Sequence, residues 1–309
     1  DCLLSRGLGD VYKRQIQGKA THRSVSDLLG GSVRDSIPMI AYLFWRYDRP
    51  DGKDDTCAED LADHCVELHE TLGVQAMKLK AGVMAPDEEA RVLELCRDRL
   101  GPGFGLRIDP NGLWSVPTAV RIGRRLEAVA PEYFEDPSWG LNGNAEVRKQ
   151  IRIPIATNMY PAKFDDLAPA IRMGSVDIVL TDIHYWEGPR GVKDLAAVCR
   201  TFNLGVAMHS GAEFGIELAA MLHTASTIPE MSFAGDAHYH YLVDDITTTG
   251  LMKYRDGAIE VPRGPGLGVE LDPEKMDKYE RFFEEKGDYY ARFHADPRRP
   301  DWYPVVGGT

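Results

Sequence analysis

Apolar, β-branched runs recur along the chain, and most are followed by a stretch where apolar residues return at three- and four-residue steps. The runs predict strands at Ile37–Phe44, Val74–Lys80, Gly105–Asp109, Glu132–Glu135, Ile153–Asn158, Val176–Asp182, Gly205–His209 and, less clearly, Met231–Gly235. The amphipathic stretches predict helices at Asp55–Leu72, Pro86–Leu100, Val116–Val129, Pro161–Met173, Arg190–Phe202 and Gly215–Thr227. Pro86 and Pro161 are placed for first helical turns, and Gly30-Gly31 would stop a short helix over Ser24–Leu29. Eight strands alternating with helices predict an α/β fold closed as a parallel barrel. A doubly wound open sheet is disfavoured, because no Gly-rich nucleotide loop follows an early strand. The run Gly101-Pro-Gly-Phe-Gly105 precedes a strand and reads as a turn.

The ends of the chain read differently. Residues 1–15 show no clean period and resemble translated adapter read-through, so a non-native leader is expected there. The tail from Pro262 is punctuated by Gly and Pro, turns helical over Glu274–Lys286, and becomes rich in Pro and Arg.

Composition narrows the function. With 36 Lys+Arg against 48 Asp+Glu the formal charge is −12, which argues against a general nucleic-acid binder. Hydrophobic residues at 43% and charged residues at 27% give a globular balance. No apolar run reaches the roughly 20 residues of a bilayer span, so no membrane partner is expected. The cysteines, Cys2, Cys57, Cys65, Cys96 and Cys199, match neither a disulfide framework nor a C-x-x-C site. A reducing, cytoplasmic setting of bacterial type is the simplest reading.

The chemistry gathers at the strand ends. Lys80, Asp109, Glu135, Asn158, Asp182 and His209 close successive apolar runs, and in a parallel barrel these ends converge on one rim. Asp109, Glu135 and Asn158 are hard oxygen donors on neighbouring strands, a set that suits Mg²⁺. A shifted register would substitute Asp136 or Asn111. Lys78 and Lys80 lie two apart on one strand and face the same side. Desolvation and mutual repulsion are expected to lower a lysine pKa there, which makes Lys80 a candidate general base. Asp182 ends the strand before His209 and is expected to orient its imidazole. A lysine base and a His–Asp dyad flanking a metal fit proton abstraction next to a carboxylate.

The stretches Lys78-Leu-Lys80, Asp109-Pro-Asn-Gly, Glu135-Asp-Pro, Ala156-Thr-Asn158-Met, Asp182-Ile-His-Tyr-Trp186, His209-Ser and Gly264-Pro-Gly-Leu-Gly-Val-Glu-Leu-Asp272 resemble the enolase superfamily. Within it the likeness is to the mandelate racemase and muconate lactonizing group, and there to the glucarate dehydratases. The resemblance implies a modified TIM barrel, (β/α)7β, over residues 37–265. Residues 16–36 would be the remnant of an N-terminal α+β capping domain that is otherwise missing, and 266–309 a segment that packs on that cap. It implies Mg²⁺ on Asp109, Glu135 and Asn158, and catalysis by Lys80, His209 and Asp182. It implies substrate contacts from Lys78 and Asn111, and a weaker one from His238. The implied reaction is dehydration of an acid sugar, an aldarate or aldonate, to a 2-keto-3-deoxy acid. A homo-oligomer is expected of the full-length protein.

One motif departs from the pattern. Glucarate dehydratases follow His-Ser with Asn-Asn-His-Phe-Asp, whereas this chain has Gly211-Ala-Glu-Phe-Gly215. A racemase or epimerase on the same two bases, and a non-catalytic relative, are the alternative readings. A shortened chain is expected to leave apolar surface on the barrel rim and to turn over weakly.

Overall fold

The computed structural model describes residues 3–46 and 54–286. After helices α1 (Leu3–Thr21) and α2 (Val25–Leu28) come the short strands β1 (Ser36–Pro38) and β2 (Ala41–Leu43). Helix and strand then alternate: α3 (Ala58–Leu72), β3 (Ala76–Lys80), α4 (Pro86–Leu100), β4 (Gly105–Asp109), α5 (Val116–Leu126), β5 (Tyr133–Glu135), α6 (Gly140–Arg148), β6 (Ile155–Thr157), α7 (Phe164–Met173), β7 (Ile178–Thr181), α8 (Gly188–Thr201), β8 (Gly205–Met208) and α9 (Gly215–Ser226). Strands β9 (Tyr254–Arg255) and β10 (Ala258–Glu260) and helix α10 (Pro273–Lys286) follow. Among the described residues no helix is long and apolar enough to cross a membrane.

Strands β2 to β8 form one parallel sheet in chain order. The segment 231–236 closes it. Ser232 and Asp236 donate their N–H groups to Val206 and Met208, while Gly235 bonds Pro38 and Ile40 on the other side. An eighth stave thus joins the last strand to the first, as in a (β/α)7β barrel. Its assignment as a clear strand is lost because it holds only isolated bridges, Met39 to Gly235 and Val206 to Met231.

Side chains alternate across each stave. Met77, Leu79, Leu106, Ile108 and Phe134 turn outward into a core shared with α3, α4 and α5. Val179, Val206 and Met208 turn outward into a second core with α8 and α9. The interior holds Tyr133, Ala156, Ile178, Leu180 and Ala207, and above them the polar ends of the same strands.

Several expectations are corrected. The run Ile37–Phe44 is two strands: β1 pairs antiparallel with β10, and the chain enters the barrel only at β2. Pro38 has no N–H to continue a ladder, so the chain changes partners there. Pro161 lies ahead of its helix, which begins at Phe164. Helix α6 escaped notice because two glycines dilute its apolar period.

Residues 3–15 are helical despite their weak period, because tertiary contacts outweigh propensity. Asp10 accepts the Arg190 N–H at 3.1 Å, and the Gln15 side chain accepts that of Leu267 at 2.7 Å. Gly7 lets the helix sit against the loop after β7, where a Cβ would lie 2.0 Å from the Ile183 carbonyl oxygen. Residues 1–2 of the expected leader, Cys2 among them, and 287–309 of the expected C-terminal segment lie outside the described residues.

Candidate active site

The barrel register sets Lys80 beside Asp109, one strand over. The Lys80 ammonium donates to the Asp109 carboxylate and, at 3.0 Å, to Asn111 Oδ1. Asp109 is fully buried and also accepts the Asn111 N–H at 2.8 Å, in a turn where Asn111 takes a φ of 52°. Asparagine tolerates that left-handed backbone better than most residues.

On the far side, His209 Nδ1 lies 3.0 Å from Asp182 Oδ2, and Nε2 lies 2.6 Å from Asn158 Nδ2. Asp182 also accepts the N–H groups of His184 and Tyr185, both at 2.8 Å. Burial pushes the Asp182 carboxyl up, but the His209 contact and these donors outweigh it and hold it below the usual range. Asn158 Nδ2 donates to Nε2, so His209 carries its proton on Nδ1, toward Asp182.

Between the two sides sits Glu135, fully buried at the end of β5. Its Oε1 has no hydrogen-bond partner, and neither does Asn158 Oδ1. Two buried, unpartnered oxygens are costly unless something occupies them. Both belong to the Asp109, Glu135, Asn158 set, and a divalent cation with a preference for oxygen fits that set. Among the described residues no three His, Cys, Asp or Glu side chains gather to hold a metal. Burial, reinforced by the Asp109 charge, drives Glu135 well above the usual carboxylate range, against the pull of Lys78.

Lys78 is fully buried, donating to Glu135 Oε2 at 2.6 Å and to Asp236. The expected lowering of both lysine pKa values is corrected. Burial does favour the neutral amine, but Asp236 and Glu135 around Lys78, and Asp109 beside Lys80, outweigh it and raise both. Facing strands supply these counter-charges, which a reading along one strand misses.

Asp236, to which the sequence alone assigns no role, ends the eighth stave and links Lys78 to Arg107, whose Nη1 lies 3.3 Å from Asp236 Oδ1. Asp136, the register alternative to Glu135, is taken up by Thr157, the Asn144 side chain and the N–H groups of Asn158 and Met159. It braces the turn behind Asn158.

His238 stands over Tyr42, with ring centroids 4.1 Å apart, and its Nδ1 lies 2.6 Å from Ser210 Oγ. Ser210 in turn donates to Glu213, which replaces the family's histidine in the departing motif. Exposed apolar side chains crown the loops of this rim: Trp139 is 65% exposed and Val243 89%, with Tyr185 and Phe214 between them. A cleft of about 370 Å³ opens at the opposite end of the barrel, around Gln75, Arg97, Phe104 and Glu132. Arg97 and Glu132 are already paired there, to backbone carbonyls and to Arg107, so the cleft carries none of this chemistry.

Comparisons with known proteins place the chain. It is 41% identical over 298 residues to the "Probable glucarate dehydratase" of Streptomyces coelicolor, covering 92% of this chain and 68% of that one. A crystal structure described as an isomerase from Streptomyces coelicolor A3(2) superposes with a TM-score of 0.85 at 41% identity, over 93% of this chain and 76% of the other. An enolase from Thermobispora bispora, complexed with magnesium and formate, matches with a TM-score of 0.87 at 36% identity, over 96% of this chain and 72% of the other. The model of the family described as "Enolase C-terminal domain-like" matches residues 60–275, and the chain belongs to that family.

Proposed function

We propose that the protein is a Mg²⁺-dependent hydro-lyase that dehydrates an acid sugar to a 2-keto-3-deoxy acid. The observation that carries the reading is a pair of buried, unpartnered oxygens, on Glu135 and Asn158, set between two contacts: Lys80 meets Asp109 on one side, and on the other Asn158 meets His209, which meets Asp182. The magnesium bound by the Thermobispora relative supports the choice of metal.

In this reading Asp109, Glu135 and Asn158 hold the cation. When bound, it would supply positive charge that offsets the charge developing on the substrate carboxylate, and it would compete with Lys80 for Asp109. Lys80 takes the proton from the carbon next to that carboxylate. The electron pair of the broken C–H bond forms a C=C bond as the neighbouring C–O bond breaks. His209, protonated and braced by Asp182, gives the departing hydroxyl its proton, so water leaves. The enol product then rearranges to the 2-keto acid. On a substrate of opposite configuration, His209 takes the proton instead. Lys78 holds Glu135 in place from below, and Asn111 fixes the Lys80 amine.

An acid-sugar panel scored for 2-keto acid by semicarbazide, with Mg²⁺ and with EDTA, tests this. A Mg²⁺-dependent product supports the dehydratase. An inverted substrate with no keto product would make the protein an epimerase, which the same pair of bases equally serves. Metal binding without turnover on any acid sugar would make it a non-catalytic relative. The exposed rim side chains support a separate cap over this face in the full-length protein. The free thiols Cys57, Cys65, Cys96 and Cys199 support a reducing compartment.

A further inference from the structure

A serine and a carboxylate of the departing loop after β8 reach a second histidine, His238, which follows the eighth stave. Glu213 is buried, with 3% of its surface exposed, and it faces the inside of the loop rather than solvent. Burial pushes the Glu213 carboxyl up to about 7, and above that pH, with the carboxylate ionised, the Ser210 hydroxyl donates to Glu213 Oε2. That hydroxyl has a single hydrogen, so it has none left for His238. Ser210 Oγ is nevertheless 2.6 Å from His238 Nδ1, and it accepts the His238 backbone N–H at 3.2 Å. The short contact is a hydrogen bond only if His238 Nδ1 is the donor. The imidazole then carries its proton on Nδ1 and a lone pair on Nε2.

We infer that Glu213, acting through Ser210, is a positioning residue that locks His238 in its Nδ1–H tautomer and so offers Nε2 to the substrate as a hydrogen-bond acceptor. This rests on the acid-sugar reading for its substrate, and it adds a specificity device to that reading. The ring is kept neutral by its surroundings: burial against Tyr42 and Phe44, with Lys78 and Lys80 nearby, pushes its pKa far down. A neutral ring with a lone pair on Nε2 accepts a hydroxyl donor and repels a carboxylate oxygen, which has no proton to give. The arrangement repeats the logic of Asp182 and His209, with a serine inserted between acid and imidazole. It also accounts for the replacement in the family motif. A histidine at position 213 has no carboxylate with which to pull the Ser210 proton away.

The tautomer is directly readable. The protein is labelled with ¹⁵N at its histidines, and long-range ¹H–¹⁵N spectra are taken at pH 8.5, with the His238 signals identified by their loss in His238→Gln. The expected result is a protonated Nδ1 and a bare Nε2 at His238. In Ser210→Ala that signature is expected to shift to Nε2–H, while His209, held by Asp182, keeps Nδ1–H as an internal control. A wild-type His238 protonated on Nε2 would overturn the inference, as would an unchanged Nδ1–H signature in Ser210→Ala. If the variant does not fold, the wild-type spectrum alone decides. No turnover is needed, so failure of the dehydratase reading shows up separately, in the semicarbazide screen.

Discussion

His209 Nδ1 and Asp182 Oδ2 meet at 3.0 Å across two neighbouring barrel strands, and the contact exists because the register pairs Thr181 with Met208. Each residue is the first beyond its paired strand end, so a one-residue slip would turn one of them outward. The dyad is therefore a property of the barrel as much as of the two side chains. Asp182→Asn keeps the shape but removes the charge that steadies a protonated His209. Turnover is expected to fall about 10²- to 10⁴-fold, with little change in the circular dichroism spectrum. Loss of less than about threefold would remove Asp182 from the mechanism.

Much of this was legible in the sequence. The strand ends Lys80, Asp109, Glu135 and His209 directly follow the outward-facing apolar residues Leu79, Ile108, Phe134 and Met208, and that alternation aims them inward, whereas Asn158 and Asp182 follow threonines. What the sequence hid depends on neighbours across the ring. The charge state of Lys78 is set by Glu135 and Asp236, which are 57 and 158 residues away. The role of Glu213 required knowing that the loop folds back onto Ser210. The helix α1 is held by Asp10 and Gln15 rather than by an apolar stripe.

Lys78→Met should be the most damaging of the lysine substitutions to the fold. It leaves Glu135 and Asp236 buried without their shared cation, a loss of about 3–5 kcal/mol for a broken buried pair. Urea unfolding against the wild type measures it. Lys80→Met, at a side chain 20% exposed, also leaves the buried Asp109 without its cation, so a smaller loss of stability is expected together with abolished turnover.

Mg²⁺ should raise the melting temperature, because it relieves the crowding of Asp109 and Glu135 in the folded state only. Asn158→Leu removes the one neutral oxygen of the set and should weaken Mg²⁺ binding by at least tenfold in calorimetry. Equal affinities in the two proteins would exclude Asn158 as a ligand.

Glu89 sets a pH trend away from the metal residues. It accepts the N–H groups of Gly82, Val83 and Met84 in the loop after β3, yet burial outweighs them and pushes its pKa from 4.5 up to about 7. A folded-state pKa above the unfolded one means the native protein binds the extra proton. This contribution is therefore full below pH 4.5 and is lost as pH rises through 7, by about 3 kcal/mol. Urea midpoints between pH 4.5 and 7.5 should fall more steeply in the wild type than in Glu89→Gln.

His238 predicts a preference among substrates. If its Nε2 is an acceptor, monoacid sugars that present a hydroxyl there should show a higher kcat/KM than diacids of equal length. The gap is expected to be about tenfold, the value of one hydrogen bond, and to narrow in Ser210→Ala.

The stave 231–236 has a consequence for how the chain is made. Lys78 and Arg107 emerge from the ribosome more than a hundred residues before Asp236, the carboxylate that both of them meet. Until that residue is synthesised, the interior of the growing barrel holds two cations short of a counter-ion, and burying them is unfavourable. The early strands therefore cannot settle permanently as they emerge. The ring can close only late, once residue 236 and the stave that carries it have been made.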